Sequence, residues 1–228
     1  MLVLFDNGTP RTLARFLIDH HTVTEARSRG WAELENGDLL TKAEAAGFEV
    51  LVTTDRNIGY LDDKSNFSRE PNGFLVQVLQ GRPTGAALDY AMGEGRNAIY
   101  LASLGWSVSG FDPADAAVAI AQKRAKELGL TLDTSAVRDS EYEFGKERFD
   151  LILFSWSMPL IPVEKVVDSL KPGGVIVMEC ATHFVGRNGM LKMFDALKIV
   201  RYEVVRAKAD FDHRMETEVL RLIATKPR

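Results

Sequence analysis

The sequence predicts an α/β protein built on a mostly parallel sheet with helices on both faces, preceded by a smaller α/β segment. Three observations carry that reading. From residue 86 onward, compact apolar runs alternate with helix-like stretches almost without interruption, the pattern of a parallel sheet with crossover helices. Before that, a polar stretch "RNIGYLDDKSNFSREPNG" shows no periodicity and carries Gly, Pro, Asn and Ser, which marks a boundary near residue 64. Charge changes at the same place: residues 1–64 hold 7 Lys/Arg against 11 Asp/Glu, and residues 65–228 hold 21 against 21. Two segments follow, 1–64 and 65–228.

The front segment reads as strand, helix, short helix, helix, strand. "LVLF" is a short apolar strand ending at Asp6. In "TPRTLARFLIDH", Thr9 is placed to cap a helix whose first position is Pro10, where a missing N–H costs nothing. "NGDLLTKAEAAG" is a second helix stopped by Gly47, and "FEVLVTTD" is a strand ending on Asp55.

The second segment begins with the strand "AALDY", the helix "RNAIYLASLG" and the strand "WSVSGFD". A longer helix, "PADAAVAIAQKRAKELG", has Pro113 and Asp115 in its first turn and Gly129 after it. "LDTSAVRD" is a weak strand, and "FDLILFSW" has the continuous apolar character of a central parallel strand. The helix "VEKVVDSL" is stopped by "KPGG", the buried strand "VIVMEC" follows, and "GMLKMFDAL" is a helix. "KIVRYEVVRAKAD" and "VLRLIATKP" end the chain as two strands joined by a turn.

Composition excludes several classes. No apolar run reaches the roughly 18 residues a membrane span needs, and the charged Asp6 arrives too early for a secretory leader. A cytoplasmic location without membrane attachment is the default expectation. The 228 residues carry a formal charge of −4, and neither segment has the basic excess that nucleic-acid binding asks for. A single cysteine, Cys180, excludes an internal disulfide or a cysteine-based zinc cluster; at the end of an apolar run it reads as a small buried hydrophobe.

The chemistry centres on "ALDYAMGEGRNAIYLASLGWSVSGFD". Its "GEGRNA" fits the G-x-G-x-x-G/A pattern, a weak signal alone. Glycines there let the backbone turn sharply beside a ligand, and the next helix offers free N–H groups. Asp89 lies in the strand before the turn, where a carboxylate suits the ammonium group of S-adenosylmethionine better than a dinucleotide's phosphates. Asp112 ends the next strand, 17 residues beyond Gly95, where it can accept hydrogen bonds from both hydroxyls of a ribose. The closing hairpin also departs from the second half of a dinucleotide fold.

With "VRDSEYEFGKERFDLILFSW" and "SLKPGGVIVME" following in order, residues from about 70 to 227 resemble the class I S-adenosylmethionine-dependent methyltransferases. The resemblance implies a Rossmann-like sheet of seven strands, mostly parallel with an antiparallel last strand. It implies that Asp89, Gly93 and Gly95 contact the methionine part of S-adenosylmethionine. Ala91 stands where the family usually has the first glycine of its motif, and a left-handed backbone there would strain an alanine. Asp112 would hold the ribose with Phe111 or Pro113 beside the adenine. Asp139, with Ser140 next to it, would face the adenine amino group, and Ser155 and Trp156 would lie near the sulfonium. His183, just past the "VIVMEC" strand, is the candidate general base for an acceptor that must lose a proton. Arg96 caps or pairs at the helix start. Helices before the first strand often cover the cofactor in this class, which draws attention to Glu70–Leu79. The acceptor, a small molecule or a protein, is not legible.

At the front, Asp6, Asp38 and Asp55 sit at a strand end, a helix start and a strand end, positions from which clustered carboxylates can hold Mg²⁺ for phosphodiester hydrolysis. With "NGDLL" and "TTDRN", residues from about 2 to 60 resemble the PIN-like toxin ribonucleases. The family continues with strands and a helix that this chain lacks, so the resemblance implies a truncated remnant, with vestigial metal ligands and Mg²⁺ relevant only if it is active. His20, His21 and Trp31 fall to packing or surface. About 60 residues bury too little to be stable alone, so this segment is expected to lean on the second one, pair with another copy as a homodimer, or stay partly disordered. The alternative reading is a toxin-like ribonuclease or nucleic-acid-binding fusion with an accessory cofactor domain. A third is a domain that binds the cofactor without catalysis.

Overall fold

The computed structural model describes residues 1–34, 36–54, 68–157, 162–182, 188–209 and 216–228. The chain divides into two compact units, Met1–Ser65 and Asn66–Arg228.

The first unit is a three-stranded parallel sheet in the order β2-β1-β3, from β1 (Leu2–Phe5), β2 (Thr22–Glu25) and β3 (Val50–Val52). One α-helix, α1 (Asn36–Ala45), contributes Leu39 and Ala43 to a small core with Leu4 and Ala26. Trp31 packs edge-on against Phe48 at its margin. Two expectations need correction here. The helix expected from Thr9 is a 3-10 helix, Arg11–Phe16, with Pro10 at its N-cap. Thr9 is engaged elsewhere, its Oγ1 lying 2.6 Å from both Asp6 Oδ1 and Val52 O. None of the 3-10 helix residues is buried, and a short helix without a packed face has little to hold it in α geometry. The stretch read as a short helix contains β2 followed by a 3-10 turn, Ala26–Arg29; the β-branched run "TVT" pairs in register with β1, Thr22 opposite Leu2 and Thr24 opposite Leu4.

The second unit is a seven-stranded sheet in the order β6-β5-β4-β7-β8-β10-β9. Its strands are β4 (Ala86–Tyr90), β5 (Ser107–Phe111), β6 (Asp133–Ser135), β7 (Phe149–Ser155), β8 (Leu170–Ala181), β9 (Lys198–Lys208) and β10 (Glu216–Thr225). All pairings are parallel except those of β10, which runs antiparallel to both β8 and β9. The helices are α2 (Gly73–Leu79), α3 (Arg96–Ser103), α4 (Asp115–Glu127), α5 (Val163–Ser169) and α6 (Gly189–Met193).

Because side chains alternate across a strand, the sheet has two cores. One holds Leu88, Tyr90, Ile152, Phe154 and Met178 with Val166 and Phe194. The other holds Ala87, Leu151, Leu153 and Val177 with Phe74, Leu101 and Val118 from α2, α3 and α4. Three details differ from the sequence reading. α2 is an added element, too short for its periodicity to register. α6 stops at Met193 instead of continuing through Leu197. β8 runs through "KPGG" instead of starting after it, with a register shift between Phe149 and Leu151 on its partner strand. Among the described residues no helix is long and apolar enough to cross a membrane.

Candidate functional site

The carboxyl ends of β4, β5 and β7 and the loop after β6 bring most of the expected residues to one edge of the sheet. β4 and β5 pair in register, with Asp89 opposite Gly110 and Tyr90 opposite Phe111. The turn that follows β4 is stitched to its neighbour: Met92 N–H donates to Phe111 O at 2.9 Å, and Gly93 N–H donates to Asp112 Oδ2 at 2.9 Å. Asp112 Oδ1 accepts the Ala114 N–H at 2.9 Å. One carboxylate thus ties the glycine turn to the start of α4. Each of its oxygens has a further lone pair for a hydroxyl donor.

Gly95 is at φ 74, left-handed, as the N-cap of α3. A Cβ there would stand 2.7 Å from Ala121 Cβ, so glycine is required both for the turn and for the approach of α4. Ala91 is at φ 52. The position does demand the left-handed region, and alanine occupies it at a cost of roughly 1–2 kcal/mol. Trp156, directly after β7, is left-handed too, at φ 57. Bulky residues rarely adopt this conformation, and such outliers gather at binding sites.

Asp89 is the most unusual group. It is 1% exposed, and its Oδ2 has no hydrogen-bond partner among the described residues. Burial pushes its pKa up to about 7, against the opposing pull of the Ala98 backbone N–H and the Arg96 charge, with Asp112 adding a smaller upward push. A buried, unsatisfied carboxylate oxygen costs roughly 1–3 kcal/mol or more. It fits the cation of a ligand that takes up that oxygen. Asp112 is raised as well, chiefly by burial and against its two backbone donors.

Arg96 bridges three parts of this edge. Its Nη1 donates to Glu70 O at 2.9 Å and its Nη2 to Ser155 Oγ at 3.3 Å. Asp139 accepts the Tyr90 hydroxyl at Oδ2 (3.1 Å) and the Ser140 N–H at Oδ1 (2.8 Å). Pro113 and Ser140 are exposed, whereas Phe111 is buried, stacked on Tyr142 with ring centroids 4.3 Å apart. Between the two residues proposed to lie beside the adenine, Pro113 is the one at the surface. Cys180 is buried and its thiol pushed up to about 11, chiefly by burial, as an inert hydrophobe should be. His183 lies outside the described residues.

Sequence reasoning missed a second group of polar residues. Asn72, fully buried, caps α2 by accepting the Leu75 N–H, donates its own N–H to Asn97 Oδ1 at 2.8 Å and donates Nδ2 to Glu179 Oε1 at 2.7 Å. Glu179 Oε2 accepts from Arg221 Nε at 2.6 Å, and Arg221 also faces Glu203 at 3.6 Å. The register explains this row, with Glu179 opposite Arg221 and Arg221 opposite Glu203. Arg221 and Arg201 flank the Phe74 ring, 5.4 and 5.2 Å from its centroid. Together with Arg96, these contacts fasten Glu70–Phe74 to the strand ends. The signals were present: an Asn at the cap position before an apolar run, and one Glu inside an apolar strand. The cleft of about 380 Å³ lined by Trp106, Ser107, Leu130 and Asp133 lies at the opposite end of β5, away from all of these groups.

In the first unit, Asp6 accepts at Oδ1 from the N–H groups of Gly8 (3.0 Å) and Thr9 (2.7 Å), and at Oδ2 from the Thr53 hydroxyl. Asp38 is exposed in the first turn of α1, and Asp55 lies outside the described residues. Among the described residues no three His, Cys, Asp or Glu side chains stand together as a metal site.

The strand order, the glycine turn, Asp89 and Asp112 at the ends of β4 and β5, and Asp139 in the loop after β6 lie at one edge of an α/β sheet. In comparison with known proteins, residues 87–174 match the methyltransferase domain. The ubiquinone biosynthesis O-methyltransferase of Rhizobium etli is 31% identical over 157 residues, 64% of this chain and 59% of that protein. The 2-heptyl-1-hydroxyquinolin-4(1H)-one methyltransferase of Mycobacteroides abscessus is 38% identical over 91 residues, 40% of each chain. Among solved structures, an S-adenosylmethionine-dependent methyltransferase of Methanosarcina mazei superposes with a TM-score of 0.58 at 17% identity, covering 69% of this chain and 99% of that one. The N-methyltransferase NodS of Bradyrhizobium japonicum gives 0.56, also at 17%, over 68% and 93%. Residues 87–174 of the second unit thus match a methyltransferase domain, and the unit shares the fold of these solved structures. The chain spans 59% of the length of its Rhizobium etli relative.

Proposed function

We propose that residues 66–228 bind S-adenosylmethionine at the carboxyl edge of β4 and β5 and transfer its methyl group to an acceptor. The observation that carries the reading is the buried Asp89 oxygen without a partner among the described residues, next to a glycine turn tied down by Asp112. Asp89 would take the cofactor's ammonium group, Gly93 and Gly95 give the turn its close approach, and Asp112 would accept from the ribose hydroxyls with its remaining lone pairs. Asp139 would receive the adenine amine, with Ser140 and Pro113 at the surface beside it, and Ser155, held by Arg96, stands at the end of β7 where the reacting end would lie. When bound, the cofactor supplies a methyl group already activated on a sulfonium, so these residues contribute by holding and orienting it.

The ubiquinone biosynthesis O-methyltransferase relatives support a hydroxyl group as the first acceptor class to test. For such an acceptor His183 is the candidate base. For the first unit we propose an inactive remnant without Mg²⁺ chemistry, because both carboxylate oxygens of Asp6 already accept hydrogen bonds, from Gly8 and Thr9 in its own loop and from Thr53 after β3.

The experiment is calorimetric titration with S-adenosylhomocysteine. Wild type should bind and Asp112→Ala should bind at least about tenfold more weakly, equivalent to 1.4 kcal/mol. Equal affinity in the mutant, or preference for a nicotinamide dinucleotide, would overturn the assignment.

A further inference from the structure

We infer that Tyr90 is a positioning residue that sets the preference for a 6-amino purine by orienting Asp139; the inference rests on the cofactor reading above. Tyr90 is the last residue of β4 and is 1% exposed. Its ring sits among Phe154, Phe111 and Phe144, at centroid distances of 4.6, 4.8 and 6.1 Å. A phenylalanine would fill that aromatic cluster equally well, so packing does not account for the hydroxyl. A buried phenol needs a partner, and this one donates to Asp139 Oδ2 at 3.1 Å.

Asp139 lies in the loop between β6 and β7, and it also accepts a local hydrogen bond, from the Ser140 N–H to Oδ1. A side chain carried by a loop is less well fixed than one on a central strand. Tyr90 supplies the strand's rigidity to it. With one donor on each oxygen, the lone pairs that remain point in set directions, and an ionised carboxylate is an acceptor only. It can receive an exocyclic amine and repels a carbonyl at the same place. Burial and the neighbouring Asp139 charge hold the Tyr90 hydroxyl well above its ordinary pKa, so it stays a donor throughout the working range.

The test compares Y90F, D139N and the double variant in the full chain. Each is titrated with S-adenosylhomocysteine and with S-inosylhomocysteine, in which a carbonyl replaces the amine. Wild type should prefer the adenosyl ligand by more than about tenfold, because a site built for an N–H donor rejects its absence. Y90F should shrink that preference about threefold, the size of one ordinary hydrogen bond, and should have no further effect in the D139N background. A purely structural role weakens both ligands alike, and an unchanged ratio in Y90F would overturn the inference. So would an effect that persists undiminished alongside D139N. Failure of the wild type to bind S-adenosylhomocysteine at all would remove the cofactor reading itself, and this inference with it.

Discussion

Two aspartates end central parallel strands in this chain, and they have opposite fates. Asp6 follows β1, the middle strand of the first unit's sheet, and accepts hydrogen bonds at both carboxylate oxygens from Gly8, Thr9 and Thr53. Asp89 is the penultimate residue of β4, in the interior of the second unit's sheet, and leaves one buried oxygen without a partner among the described residues. The residue type is the same and both stand near the carboxyl end of a parallel strand; the difference is who supplies the donors. Around Asp6 the following loop supplies donors to one carboxylate oxygen and Thr53, after β3, supplies one to the other. Around Asp89 the glycine turn leads away into α3, and no group among the described residues donates to the buried Oδ2. A buried strand-end acid with an oxygen left over among the described residues is the stronger candidate partner for a ligand's cation.

The comparison can be broken most forcefully by neutralising each acid. Asp89→Asn keeps the shape and removes the charge that would meet the ammonium group. S-adenosylhomocysteine affinity should fall about thirtyfold or more, the roughly 2–3 kcal/mol of a hydrogen bond between charged groups. Asp6→Asn should leave that affinity unchanged within error. Its effect belongs to the first unit, where disturbing a carboxylate bonded at both oxygens should cost about 1–3 kcal/mol, read by amide exchange of β1 and β3. A nuclease-like effect of Asp6→Asn on Mg²⁺-dependent RNA cleavage would contradict the remnant reading. The smallest effect concerns strain. Ala91→Gly relieves the left-handed alanine but adds chain entropy to the unfolded state, so thermal unfolding should show a net gain of about 0.5–1 kcal/mol. A loss of stability would mean that the Ala91 methyl group contributes packing that outweighs its strain.

Much of the second unit was legible because its strands are long, apolar and separated by helices with clear stops. "FDLILFSW" and "VIVMEC" name themselves as interior strands. The glycine turn and the acid at position 112 are likewise local patterns. The clamp on α2 was not legible, since Asn72, Asn97, Glu179 and Arg221 are far apart in sequence and meet only through the sheet register. Tyr90 could not be linked to Asp139 for the same reason. In the first unit the errors have a different cause. The helix period around Leu13 and Phe16 was real, but the stretch buries none of its residues, and both side chains remain exposed. Periodicity predicts a helix only when there is something to bury the face against.

The pH dependence of cofactor affinity tests the central claim most directly. Asp89, raised to about 7, is largely protonated in the free domain at pH 6 and largely ionised at pH 8. Because its folded-state value lies above its ordinary one, this group's contribution to stability is fully present below pH 4 and is lost as pH rises through 7. Binding of a cation has the opposite sign, since only the ionised carboxylate attracts it. Calorimetric affinity for S-adenosylhomocysteine should therefore tighten about tenfold between pH 6 and pH 8, and Asp89→Asn should flatten the profile. A wild-type affinity that does not change over that range, or an Asp89→Asn variant that keeps the full slope, would contradict the assignment of Asp89 as the cation's partner.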